Sequence, residues 1–181
     1  MTSDEAVVAF VDLLERLNVP YVITGSLASN FHGVPRSTRD VDLVVDLAGD
    51  VLDRLAKALP ADLTLDPQAA FETVTGTTRH LVRLRGSVFV IELFVLSDDP
   101  YDRERFARRL RVGAFDRLVW VLSVEDVIVT KLRWAAGGGR TKDIEDLRHV
   151  IAVSGESVDW EYVRGWCDRH GTTAVLDRVL A

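Results

Sequence analysis

A single cysteine, Cys167, among 181 residues excludes an internal disulfide. It lies in the apolar-patterned stretch WEYVRGWCDRH, away from other metal-binding side chains, and is expected as a buried structural thiol. Long hydrophobic runs are also missing, since none approaches the roughly 18 residues that a membrane helix needs. The first helical pattern, SDEAVVAFVDLLERL, begins without the basic start and short apolar core of a signal peptide. The protein is therefore expected to be cytoplasmic, with no membrane partner. Basic charge is not in excess: 22 Lys and Arg against 28 Asp and Glu leave a net charge of -6, which excludes a surface built throughout for nucleic acid. Repeats are absent, and low complexity is limited to Gly137, Gly138 and Gly139.

What remains is a globular composition, 48% hydrophobic and 28% charged, in a chain long enough for one domain and one good core. One local patch departs from the acidic average. RERFARRLR, from Arg103 to Arg111, holds five arginines and one glutamate. It reads as a solvated helix or strand face, or as a phosphate-binding patch.

Ser3 is expected to cap a helix whose apolar residues Val7, Phe10, Val11, Leu14 and Leu17 recur at three- and four-residue steps before Pro20. YVITG reads as a buried strand running through Gly25 and Ser26 into a short helix, LASNFH, stopped by Gly33. DVDLVVD is a strand with acids at its start, and the helix after it ends at Pro60. Leu63 to Leu96 reads as sheet: LTL, FETV, HLVRLR, a Gly-Ser turn and VFVIELFVL. RLRVGAFDRLVWVL suggests a last hairpin. Ser123 then opens a helix expected to break at the three glycines, followed by TKDIEDLRHVIAV and two shorter helices.

Asp40 and Asp42 lie two apart on a strand, so both carboxylates point to one side. Their repulsion calls for a cation, and a hard divalent ion such as Mg2+ suits oxygen ligands. The alternative is a solvated strand end paired to Arg36 or Arg39. Gly25 and Ser26 open a helix, where backbone amides, close approach and a hydroxyl suit a phosphate; otherwise Ser26 is only a cap. Glu92 is the one charge in VFVIELFVL, and a buried lone carboxylate must be neutral, paired or metal-bound. Metal or catalytic use is preferred here to an ion pair with an arginine of HLVRLR. Lys131 falls on the apolar stripe of its helix with Val124, Val127, Ile128, Leu132 and Ala135. Turned inward, it needs an anion, either Asp143 or Asp146 or a bound triphosphate; turned outward, it would snorkel to water.

Taken in order, GSLASNFHGVPRSTRDVDLVV, VIEL, LSVEDVIVTKLRWA and RTKDIEDL resemble the nucleotidyltransferase superfamily, and within it the AbiEii and MenT toxin-type group. The resemblance implies an α+β fold with a mixed sheet, a polymerase-β-like core over residues 1–122 and a helical C-terminal part over 123–181 packed on it. It implies metal ligands at Asp40, Asp42 and Glu92, with catalysis by these and Lys131. Gly25, Ser26, Arg39, Lys131 and Asp143 would bind substrate. Glu92 stands where members often carry aspartate. Two Mg2+ ions, a nucleoside triphosphate, a tRNA end or protein hydroxyl as acceptor, and a cognate antitoxin are the implied cofactors and partners. Trp134, one turn past Lys131, would stack on a base or fill core. A small-molecule acceptor of the antibiotic type, or a catalytically silent nucleotide- or partner-binding relative, are the competing readings.

Overall fold

Tyr21–Thr24 (β1) is buried along its whole length, as a strand covered on both faces must be, and the sheet is built outward from it. A computed structural model describes residues 1–138 and 141–181. Among them, β1 pairs antiparallel with Asp40–Val45 (β2) and parallel with Arg117–Val121 (β8). β2 pairs parallel with Val90–Val95 (β6), which pairs antiparallel with Thr77–Leu84 (β5). Leu63–Leu65 (β3) and Ala70–Glu72 (β4) both lie along β5, and Leu110–Ala114 (β7) forms the far edge beside β8. The order β3-β5-β6-β2-β1-β8-β7 makes a mixed sheet, in agreement with the expected α+β class.

Helices Ser3–Arg16 (α1), Gly25–His32 (α2), Val51–Ala58 (α3), Pro100–Ala107 (α4), Val124–Gly138 (α5), Thr141–Ser154 (α6), Trp160–His170 (α7) and Thr173–Leu180 (α8) complete the described chain. None is long and apolar enough to cross a membrane. One apolar cluster, running in sequence from Ala6 to Leu176, joins the sheet to the C-terminal helices, and Cys167 is buried in it. The α1 cap is Thr2 rather than Ser3. Thr2 Oγ1 accepts from Glu5 N at 3.2 Å and Glu5 Oε2 from Thr2 N at 2.7 Å, a reciprocal pair closed to Ser3, which has Ala6 three places on. Gly137 and Gly138 are helical in α5; Gly139, the last of the expected break, and Arg140, the first residue of RTKDIEDL, lie outside the described residues.

The arginine-rich stretch is solvated only in part, at Arg103 and Arg111, and is not a free phosphate patch. Its first part is α4, capped by Asp99 with Pro100 at the first helical position, and its arginines are committed to partners within the fold. Arg105 pairs with Asp102 at 2.8 Å, both almost fully buried, and Arg108 reaches Glu125 and Asp126 at 3.3 Å while lying over the Tyr162 ring. Arg109 stacks on Phe106 and Trp120, and Arg111 pairs with Glu15. Arg103, with Asp98, and Arg111, with Glu15, pair at the exposed surface.

Removing one partner from a buried pair strands the other charge. Asp102→Ala is expected to cost about 3–5 kcal/mol in urea unfolding. Arg103→Ala, at the exposed pair, should cost less than about 1 kcal/mol in the same measurement.

Candidate active site

Strand register assembles the acids. Thr24 lies opposite Asp42 across the β1–β2 pair, and Asp42 lies beside Glu92 across the β2–β6 pair. Because side chains alternate along a strand, Asp40, Asp42 and Glu92 share one face with Val44 and Phe94. These residues line a cavity of about 310 Å³. Its other walls are the start of α2 at Gly25 and Ser26, Lys131 and Trp134 of α5, and Lys142 and Asp143 of α6.

Gly25 is held against Asp42. Its φ of +60° is a left-handed conformation, and a Cβ placed on it would overlap Asp42 Oδ2. Only glycine brings the first turn of α2 this close to a carboxylate. No side chain caps that turn: Thr24 is the cap residue but makes no capping bond, and its buried Oγ1 has no hydrogen-bond partner. Ser26 is not a cap either, since its Oγ accepts from Arg36 Nη2 at 3.0 Å.

From Ser26 a chain of charges crosses to the C-terminal helices. Arg36 grips Asp146 through two bonds of 2.7 and 2.8 Å, and Lys131 Nζ reaches Asp146 at 2.8 Å and Asp143 at 2.9 Å. Lys131 is 4% exposed, so it is turned inward and does not snorkel. Both candidate partners hold it. Burial would raise the Asp146 carboxyl, but hydrogen bonds from Arg36 and Lys131 overcome this and keep it below the usual range. The loop that presents Arg36 is closed by Asn30, which bonds the Arg36 backbone through both ends of its amide. At Gly33 the loop meets the α6 backbone so closely that a Cβ would lie 3.0 Å from Val150 N.

Three sequence expectations need correction. Glu92 is not a lone buried acid: its side chain is 18% exposed on the cavity and pairs with Arg79 at 2.9 Å. That partner is an arginine of β5, but it precedes HLVRLR rather than belonging to it. Arg36 pairs with Asp146 and not with Asp40 or Asp42. Arg39 is exposed and outside the cavity lining, so the structure does not bring it to the other site residues. Trp134 is on the cavity wall. Arg79 had no signal of its own as a site residue, and the pairing of Arg36 with Asp146 had none either, because each contact joins positions distant in sequence.

The cavity suits an anionic ligand carrying a cation. Burial, reinforced by repulsion from Glu92 and Asp40, pushes the Asp42 carboxyl up to about 7, while Lys131 and Lys142 pull it down. A hard cation between Asp40 and Asp42 would relieve that repulsion. As the side chains stand, no three His, Cys, Asp or Glu groups among the described residues converge on a metal position, so the site offers a carboxylate pair with Glu92 held aside by Arg79. Thr24 Oγ1, Asp143 Oδ2, Arg79 Nε and Arg105 Nε are all buried without hydrogen-bond partners, and all four residues line this cavity.

The charge on Asp42 destabilises the metal-free protein, because its folded-state value of about 7 stands above the ordinary 3.8. The cost builds as pH rises between those values and is complete above them. Asp42→Asn is thus expected to raise the melting temperature in EDTA at pH 8 by roughly 5–10 °C, and the gain should shrink as pH falls toward about 4.

The sequence model of the family described as "Nucleotidyl transferase AbiEii toxin, Type IV TA system" matches residues 16–180. No curated protein matches the chain. Among solved structures, the antibiotic-resistance factor ANT(2")-Ia in complex with adenylyl-2"-tobramycin is similar at 16% identity and a TM-score of 0.67, over 96% of this chain and 99% of that one. An antigenic nucleotidyltransferase-like protein from Paracoccidioides brasiliensis is 23% identical, with a TM-score of 0.54 over 83% and 77% of the two chains. The lincosamide antibiotic adenylyltransferase LnuA, lincomycin-bound, is 15% identical, with a TM-score of 0.54 over 82% and 96%. At these identities the likeness is one of fold. The family match spans nearly the whole sequence, and the chain belongs to the AbiEii nucleotidyltransferase family, which makes it an enzyme of the nucleotidyltransferase class.

Proposed function

We propose that this protein moves a nucleoside monophosphate from a nucleoside triphosphate to a hydroxyl on a macromolecule, a tRNA or other RNA end or a protein side chain, as the toxin of a toxin–antitoxin pair in the cytoplasm. The contact of Gly25 with Asp42 carries this reading: it sets the open amides of a helix start directly against a carboxylate, where a metal-bound phosphate can bridge the two. Residues 1–122 form the core that bears the acids and the Gly25–Ser26 turn, and residues 123–181 form the helical part that adds Lys131 and Asp143.

The triphosphate lies along the first turn of α2, with Lys131 and Lys142 supplying positive charge. Lys131 is kept in place between turnovers by Asp143 and Asp146 and turns its ammonium to the phosphates when they arrive. Trp134 lines the same cavity, where the base would lie. Asp40, Asp42 and Glu92 would hold Mg2+, two ions with the triphosphate, and the bound metal would supply Lewis-acid activation of the acceptor hydroxyl and charge neutralisation of the pyrophosphate. The acceptor oxygen would bond to the α-phosphorus as the in-line bond to the bridging oxygen breaks, pyrophosphate would leave with that oxygen, and the acceptor's proton would pass to the Glu92 carboxylate.

A small-molecule acceptor is the second reading, favoured by the nearly full-length likeness in fold to the antibiotic-resistance factor seen in complex with adenylyl-2"-tobramycin. The engagement of the Arg103–Arg111 arginines within the fold removes one reason to prefer a phosphate-rich acceptor.

Incubation with each labelled triphosphate, Mg2+ and either total tRNA, protein or tobramycin separates these readings. Label is expected on tRNA or protein, reduced at least roughly a hundredfold by Asp42→Ala. Label that survives Asp42→Ala would reject the assigned site, and label on tobramycin alone would transfer the conclusion to the second reading. No label on any acceptor would leave a silent relative.

A further inference from the structure

Arg79 is a charged cavity residue that the transfer step leaves without a role. It stands on β5 opposite Phe94, and its Nη1 donates to Glu92 Oε2 at 2.9 Å. The third acid therefore already has a cation, whereas among the described residues neither Asp40 nor Asp42 forms an ion pair. The hold is slight. One guanidinium nitrogen makes the contact, Nε is buried without a partner, and the Arg79 side chain is 34% exposed on the cavity side. A single-contact, part-exposed pair is weakly held and readily exchanged, unlike the two-pronged grip of Arg36 on Asp146.

The position of this weak pair is what gives it consequence. Glu92 is in register with Asp42, so an unpaired Glu92 would add its charge to the two aspartates already crowded on that face. With Arg79 in place, the acids do not converge on a metal position. We propose that Arg79 is a positioning residue that competes with metal for Glu92. In the free enzyme it holds the Glu92 carboxylate toward β5; when the carboxylate site is charged, the guanidinium gives way and Glu92 swings to Asp40 and Asp42. The third carboxylate thus joins the site only when a cation is present to take the place of Arg79. This inference rests on Glu92 being the third carboxylate.

Calorimetric titration of the nucleotide-free protein with Mn2+ tests it, on the wild type, Arg79→Gln, Arg79→Lys, Glu92→Gln and the double variant Arg79→Gln/Glu92→Gln. Arg79→Gln is expected to bind Mn2+ about tenfold more tightly, since Glu92 is released. Arg79→Lys, whose compact ammonium makes a looser pair, should bind about threefold more tightly, and carries the test if the glutamine variant does not fold. The gain should vanish in the double variant. Unchanged or weaker Mn2+ binding in a folded Arg79 variant overturns the proposal, as does a gain that persists without Glu92, because the effect would then be general electrostatics. Wild-type transfer by Glu92→Gln would overturn the third-carboxylate reading itself, whatever the titrations give.

Discussion

Three carboxylates placed on one face of a sheet by strand register are the constraint around which the molecule is arranged. Asp40, Asp42 and Glu92 cannot move apart without breaking the β2–β6 ladder, whose backbone bonds fix their spacing. Their repulsion has to be balanced by what surrounds them. Arg79 neutralises one, Lys131 and Lys142 act at a distance on another, and the first turn of α2 presents its uncapped amides to the same side. The result is a site whose energy is lowered by an incoming cation and polyphosphate together.

The C-terminal helices complete this balance and are tied into it by charge as much as by apolar packing. Ser26, Arg36, Asp146, Lys131 and Asp143 form one chain of hydrogen bonds and ion pairs that links α2, the loop after it, α5 and α6. Two cations and two anions offset one another, so Lys131 can be buried without an unpaired charge. The same loop closes on itself through Asn30 and packs its Gly33 against α6, so the Gly-to-Asp stretch of sequence also docks the helices.

Some of this was legible in the sequence for local reasons. The two-residue spacing of Asp40 and Asp42 sets their common face, the apolar stripe of α5 turns Lys131 inward, and the Gly-Ser pair between a β-branched run and an apolar helix marks the turn at the site. Asp143 and Asp146 were identifiable as partners for Lys131 because they face one way on the next helix. Glu92 was legible as an acid with something to do, since one charge in an apolar strand is unusual. Its partner was not, because arginines recur along β5 and just beyond it, and only pairing register selects Arg79 over Arg83 or Arg85. The Arg103–Arg111 stretch misled for the same reason: a run of arginines has the same composition whether its guanidinium groups lie in water or on buried acids.

The sequence by itself determined most of the elements, the common face of Asp40 and Asp42 and the inward lysine, because these follow from periods of two and 3.6 residues and from turn-forming glycines, while the resemblance of its motifs implied the mixed α+β class and α4 stayed open between helix and strand. Only the tertiary structure decided which charges meet. The pairing of Glu92 with Arg79, of Asp146 with Arg36, and the fit of Asp42 against Gly25 join positions between 13 and 110 residues apart. An ion pair is chosen by distance and desolvation in the folded chain, and neither has a local pattern in sequence.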